Sequence, residues 1–191
     1  GQVTVDAVSY PLPALFFVIA TQNPAGFLGT FPLPEAQLDR FLMKLSMGLP
    51  DREEEIQILG TYMNGDTLVG LGAVVTKEEL LSMKAEAAQI YVHEAVKGYM
   101  VDLVAATRSS SKTVMGVSPR GTLALLRAAK AWAWMQDRGY VIPDDVKTVA
   151  PAVLAHRLVL SYGQSHYREA VKLIEEICGS VEAPTENFAG V

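Results

Sequence analysis

The run Phe16-Phe17-Val18-Ile19-Ala20 constrains this chain more than any other stretch, because five consecutive apolar residues leave no polar face. A strand that is apolar on both sides must be covered on both sides, as in the middle of a parallel sheet flanked by helices. Open sheets of that kind bind ligands beyond the carboxyl ends of their strands. Thr21, Gln22 and Asn23 stand at that end, and Pro24 restricts Asn23 to extended backbone that stops the strand. Asn23 is therefore placed to offer its amide to a crevice.

What precedes the run is short. Val3 and Val5 alternate with Gln2, Thr4 and Asp6, and Asp6-Ala7 leads into a second short stretch, Val8 to Leu12, which together predict a hairpin. Each parallel neighbour of a strand needs a crossover of about a dozen residues or more. A hairpin and one strand cannot supply a covered sheet, so the chain is expected to lack an amino-terminal part.

After the run, Phe27, Leu28 and Phe31 lie among Gly26 and Gly29. Such apolar groups either fold back under the sheet or meet a neighbouring subunit. Pro34 and Glu35 suit a first helical turn, with Leu38, Phe41 and Leu42 on its apolar side. Arg40 falls about 200° around from Leu38, and an arginine so placed is ordinarily just solvated. A short strand, Met43 to Met47, is expected before Gly48-Leu49-Pro50. Asp51 and Glu54 then form a capping box for a helix with Ile56, Leu59 and Met63 on one face. Asn64-Gly65-Asp66 ends it, and the segment near 64–76 reads as a flexible linker. Its Gly70-Leu71-Gly72 lacks the third glycine, the preceding strand and the Lys-Ser/Thr of a phosphate cradle.

From Thr76 the pattern is wholly helical. Thr76 and Glu79 make a second capping box, and Val96, Tyr99, Met100, Leu103 and Ala106 line a further helix. His93, His156 and His166 form no metal-ligand spacing and read as surface or capping histidines. Ser109 to Val117 is expected to be a loop. Ser118 and Pro119 then open a helix whose predicted apolar face is Leu123, Leu126, Ala129, Trp132 and Ala133. Arg120 puts a positive charge at the positive end of that helix, which either calls for an anion or is simply tolerated. Gly139 is expected to stop the helix, Pro143-Asp144-Asp145 to start another, and Tyr167 to Cys178 to form the last. The tail, 180–191, should fray.

Composition narrows the function classes. Among 191 residues, 50% are hydrophobic and 19% charged, with a net charge of -5. That balance gives no general attraction to nucleic acid. Cys178 stands alone, which excludes an internal disulfide or a cysteine metal cluster and suits a reducing cytoplasm. No apolar run approaches the ~20 residues that cross a bilayer, so no membrane insertion is expected.

The motifs IATQNP, GTFPLPEAQLDRFLMKL, GLPDREEEIQIL, GVSPRGTLALLRAAKAWA and YVIPDDVKTVAPAVLAHRL together resemble the MoxR group of AAA+ ATPases. The resemblance implies an α/β end of an αβα parallel-sheet core over 1–49, followed by an all-α helical lid within 50–179, predominantly helical throughout. It further implies that Asn23 matches sensor 1, Arg40 the arginine finger acting in trans, and Arg120 sensor 2. ATP and Mg2+ would serve the parent protein, a hexameric ring that remodels or matures client proteins, with von Willebrand factor A domain proteins as partners. The chain departs from the family in one respect: it contains no G-x-x-x-x-G-K-[ST] and no strand ending in paired acids. Alone it should neither hold ATP tightly nor hydrolyse it. A nucleotide-independent helical module, an assembly platform through Phe27 to Leu33, and a magnesium-chelatase-like subunit are the alternatives.

Overall fold

In the computed structural model, residues 1–22, 33–63, 70–161 and 167–189 are described. Asn23, the Phe27–Phe31 loop, His166 and the first part of the expected linker lie outside them.

The alternation at the start forms the expected hairpin, with β1 (Gln2–Val5) antiparallel to β2 (Val8–Pro11). Asp6 and Ala7 both have positive φ, 49° and 64°, as a two-residue turn matched to strand twist demands. The Phe16–Ala20 run, expected as a doubly covered strand, forms no strand, and its Phe17 is 83% exposed. The physical reason is pairing: among the described residues no strand lies beside it, and an unpaired strand has nothing to bond or bury against. The expected strand Met43–Met47 is likewise absent. There the Lys44 N–H donates to the Ala152 carbonyl (2.9 Å), a bond to a helix in place of a strand ladder.

Helix α1 is a single turn, Glu35–Leu38. Both capping boxes are present. Asp51 and Glu54 exchange bonds of 2.8 and 2.9 Å ahead of α2 (Arg52–Met63), and Thr76 and Glu79 do the same ahead of α3 (Lys77–Gln89). Neither helix buries a residue among those described, so the Ile56, Leu59 and Met63 face of α2 is open.

The core begins at Ile90 and ends at Cys178. It is built by α4 (Glu94–Ser109), α5 (Pro119–Met135), α6 (Pro143–Leu154) and α7 (Tyr167–Ser180). Val96, Tyr99, Met100 and Leu103 enter from α4 as expected, and meet Leu125, Val146, Val153 and Ile174. In α5 the buried face is Gly121, Ala124, Leu125, Ala128, Ala129 and Ala133, whereas Leu123, expected inside, is 56% exposed. Small side chains at these positions let α6 pack close. The Ser109–Val117 segment is not all loop, since β3 (Thr113–Met115) pairs with β4 (Val159–Leu160).

Asp137, not Gly139, ends α5. Its φ of 55° is left-handed, its N–H reaches the Trp134 carbonyl and that of Arg138 the Ala133 carbonyl, which satisfies the last carbonyls of the helix. Arg138 then clamps the buried Asp145 with two bonds of 2.6 Å, while Asp145 also accepts from the Ile142 N–H (2.9 Å). This fastens the start of α6. His93 is the N-cap of α4, its Nδ1 accepting from the Ala95 N–H. The tail does not simply fray: Val181, Ala183 and Phe188 pack on the core, and the Phe188 ring meets His93 edge-on at 6.1 Å.

Candidate functional site

The site is best built from Asp39 and Arg40, the two residues that follow the single turn of α1. The turn tightens as it ends, with Arg40 N–H to Gln37 and Phe41 N–H to Leu38, so the expected longer apolar face does not form. Leu38 and Phe41 are half-buried, Leu42 is 45% exposed, and Arg40, which lies beyond the helix, is exposed. Among the described residues the Arg40 guanidinium has no hydrogen-bond or ion-pair partner.

Its flanking backbone is held firmly. Arg157, in the 3-10 turn Ala155–Arg157 after α6, is buried and spends its whole guanidinium on this segment and its own helix. Nε donates to the Val153 carbonyl (2.8 Å), Nη1 to the Asp39 carbonyl and carboxylate (2.7 Å to Oδ1), and Nη2 to the carbonyls of Phe41 (2.5 Å) and Leu42 (3.3 Å). A planar fork of donors suits such a set, where a lysine could not satisfy it. Gly121 makes the room: a Cβ there would lie 3.1 Å from Arg157 Cδ and 2.2 Å from Val117 Cγ1.

Further contacts continue the seam. His156 lies within 3.3 Å of the Phe41 carbonyl through Nε2. Burial, and then the Arg157 charge, push its pKa down to about 4, so the ring is neutral near pH 7 and Nε2–H donates. Tyr167 Oη donates to the Lys44 carbonyl (2.7 Å), and Lys44 Nζ sits 4.5 Å over the Tyr167 ring. Residues 39–44 are thus strapped to the helical bundle.

The Asp39 carboxylate also faces α5. Ser118 stands at the N-cap but makes no capping bond, and its Oγ donates to Asp39 instead at 3.2–3.3 Å. Arg120 Nη1 lies 3.7 Å from Asp39 Oδ2, with its side chain 60% exposed. The anion that Arg120 calls for at the helix start is therefore, in this state, the carboxylate next to Arg40. The structure brings Asp39, Arg120 and Arg157 together, while Asn23 lies outside the described residues. Reading residue types missed Asp39 and Arg157. The available signal was His156-Arg157 inside the apolar VLAHRLVL, since a charge flanked by apolar residues on both sides needs a buried partner.

Residues 1–43 match the pattern of the ATPase family associated with various cellular activities, and residues 105–177 that of the AAA lid domain. The chain is 41% identical over 169 residues to the chaperone MoxR1 of Mycobacterium tuberculosis, covering 84% of this chain and 44% of that protein. It is 32% identical over 188 residues to protein MoxR of Paracoccus denitrificans (87% and 56%). The chain belongs to the MoxR family of AAA+ ATPases. An uncharacterized protein of Bacillus subtilis, YeaC, is 40% identical over 191 residues, covering 99% of this chain and 59% of its own length. A crystal structure from Cytophaga hutchinsonii, solved under a provisional ATPase assignment, superposes with a TM-score of 0.84 at 35% identity, over 96% of this chain and 59% of that one. The chain therefore spans about half the length of the relatives it matches. In this MoxR-family chain, a short α/β part leads into a helical lid, and the Asp39–Arg157 seam joins the end of the first match to the second. Among the described residues no helix is long and apolar enough to cross a membrane.

Proposed function

We propose that the full-length protein is an ATP-hydrolysing AAA+ machine in which Arg40 is an arginine finger acting across a subunit interface. The observation that carries this reading is the contrast at one position: a guanidinium without partners among the described residues, on backbone fixed on both sides by buried Arg157. A free charge on a rigid mount is what transition-state stabilisation requires, since no reorganisation is left to make at the moment of reaction. Arg120 fits a sensor 2 role, being exposed and only loosely paired, and Asn23 is assigned sensor 1 from its motif alone. ATP with Mg2+ would supply the phosphoryl group, and the two arginines fit its charge. The phosphate loop and magnesium carboxylates are not in these 191 residues, so this chain by itself should not turn ATP over.

In the same reading, residues 1–49 close the nucleotide core, 50–179 carry the lid and 180–191 form a tail. The parent assembles as a ring, by family expectation a hexamer, and remodels client proteins with von Willebrand factor A domain partners. A free, buried Cys178 fits a reducing compartment such as the cytoplasm. The test is kinetic. In the full-length protein Arg40→Ala should lower Mg-ATP turnover by on the order of a hundredfold or more while leaving ATP affinity nearly unchanged. A wild type without ATPase activity, or a variant with unaltered kcat, would overturn the proposal.

A further inference from the structure

Three groups of the lid converge on one carboxylate, and they hold it in different ways. Arg157 is 2% exposed at its side chain and bonded to Asp39 at 2.7 Å. Leaving would strip it of bonds to the carbonyls of Val153, Asp39, Phe41 and Leu42 and strand a buried guanidinium. Ser118 adds a neutral bond, drawn away from capping its own helix. Arg120 is different: at 3.7 Å it forms an ion pair beyond hydrogen-bond distance, on a side chain 60% exposed.

We propose that Asp39 is a positioning residue that seats the Arg40 segment through a fixed bond to Arg157 and restrains Arg120 through an exchangeable one, which an anionic phosphate displaces. The identity of that anion rests on the ATPase reading above. When Arg120 swings to the phosphate, Asp39 stays neutralised by Arg157, so the mount of Arg40 is undisturbed. When the phosphate leaves, Asp39 recaptures Arg120. One carboxylate thereby links lid state to finger placement.

The prediction has opposite signs on two readouts, which a merely structural defect does not produce. In the full-length protein, Asp39→Asn removes the competitor for Arg120, so ATP binds about two- to fivefold more tightly, the range of an exposed ion pair. The same substitution loosens the seat of Arg40, so kcat falls about tenfold or more. On an Arg120→Ala background, Asp39→Asn leaves ATP affinity unchanged. Unaltered or weakened ATP binding in Asp39→Asn, or tightening that persists without Arg120, overturns the proposal. A nucleotide-free arm uses amide hydrogen exchange across residues 38–42. Asp39→Asn and Arg157→Lys should speed exchange there, and Arg120→Ala should not. If the wild type binds no ATP, the ATPase reading falls together with the Arg120 half, and exchange still decides the Arg157 half. Unchanged exchange in both of its variants overturns that half.

Discussion

Acidification should weaken the lid through His156 before the carboxylates respond. In the fold its pKa is pushed from 6.5 down to about 4, first by burial and then by the Arg157 charge. A depressed histidine contributes its full share above pH 6.5, where neither state is protonated. As pH falls through 6.5 the unfolded chain takes up a proton that the folded ring refuses, so the unfolding free energy drops. From the two pKa values the loss is roughly 2 kcal/mol by pH 5 and saturates near 3 kcal/mol below pH 4. Glu79 and Glu94, whose pKa values are lowered by Thr76 and Lys97 respectively, lose their contributions only as pH falls from 4.5 downward. The window from pH 7 to 5 therefore isolates the histidine. Urea unfolding of this chain across that window, beside His156→Gln, is the assay: the wild type should lose stability and the variant, which keeps a donor for Phe41 but cannot titrate, should not. A flat wild-type profile, or an equal slope in the variant, would refute the reasoning.

Other consequences follow from packing. Arg138→Met should cost about 3 kcal/mol in urea unfolding, because Asp145, 3% exposed at its side chain, keeps its charge but loses its clamp. Gly116→Ala should be destabilising by more than about 2 kcal/mol, since a Cβ would lie 2.6 Å from the Arg108 Cα and backbone must move. Gly98→Ala, in the interior of α4 with nothing within 4 Å, should instead raise stability by about 0.5–1 kcal/mol.

Features that rest on local chemistry were legible in the sequence. The Asp51–Glu54 and Thr76–Glu79 boxes need only residues three apart, and the α4 stripe needs only a helical period, so both appear where expected. Features that need a distant partner were not. Phe16–Ala20 reads as a strand by composition, but a strand exists only beside another strand. Leu123 and Leu125 are equally apolar, and only the packing of neighbouring helices around α5 selects Leu125 for the core. Gly139 looks like the helix stop, yet Asp137 takes the left-handed position because aspartate tolerates it and the capping bonds close there. At the site, Arg120 stood out as a positive charge at a helix start, whereas Arg40 read as a solvated arginine until the family resemblance singled it out. Asp39 and Arg157 acquire meaning from a bond spanning 118 residues, which no local pattern encodes.

The central claim, that Arg40 completes a neighbour's reaction, is tested most directly by mixing subunits of the full-length protein. One partner carries Arg40→Ala with an intact phosphate site. The other keeps Arg40 but has a disabled phosphate loop, and each is inactive alone. Mixed rings should recover ATP hydrolysis, because the surviving finger reaches the surviving site across the interface. Mixed rings that demonstrably form and yet hydrolyse no ATP would contradict the account and leave Arg40 a solvated surface arginine.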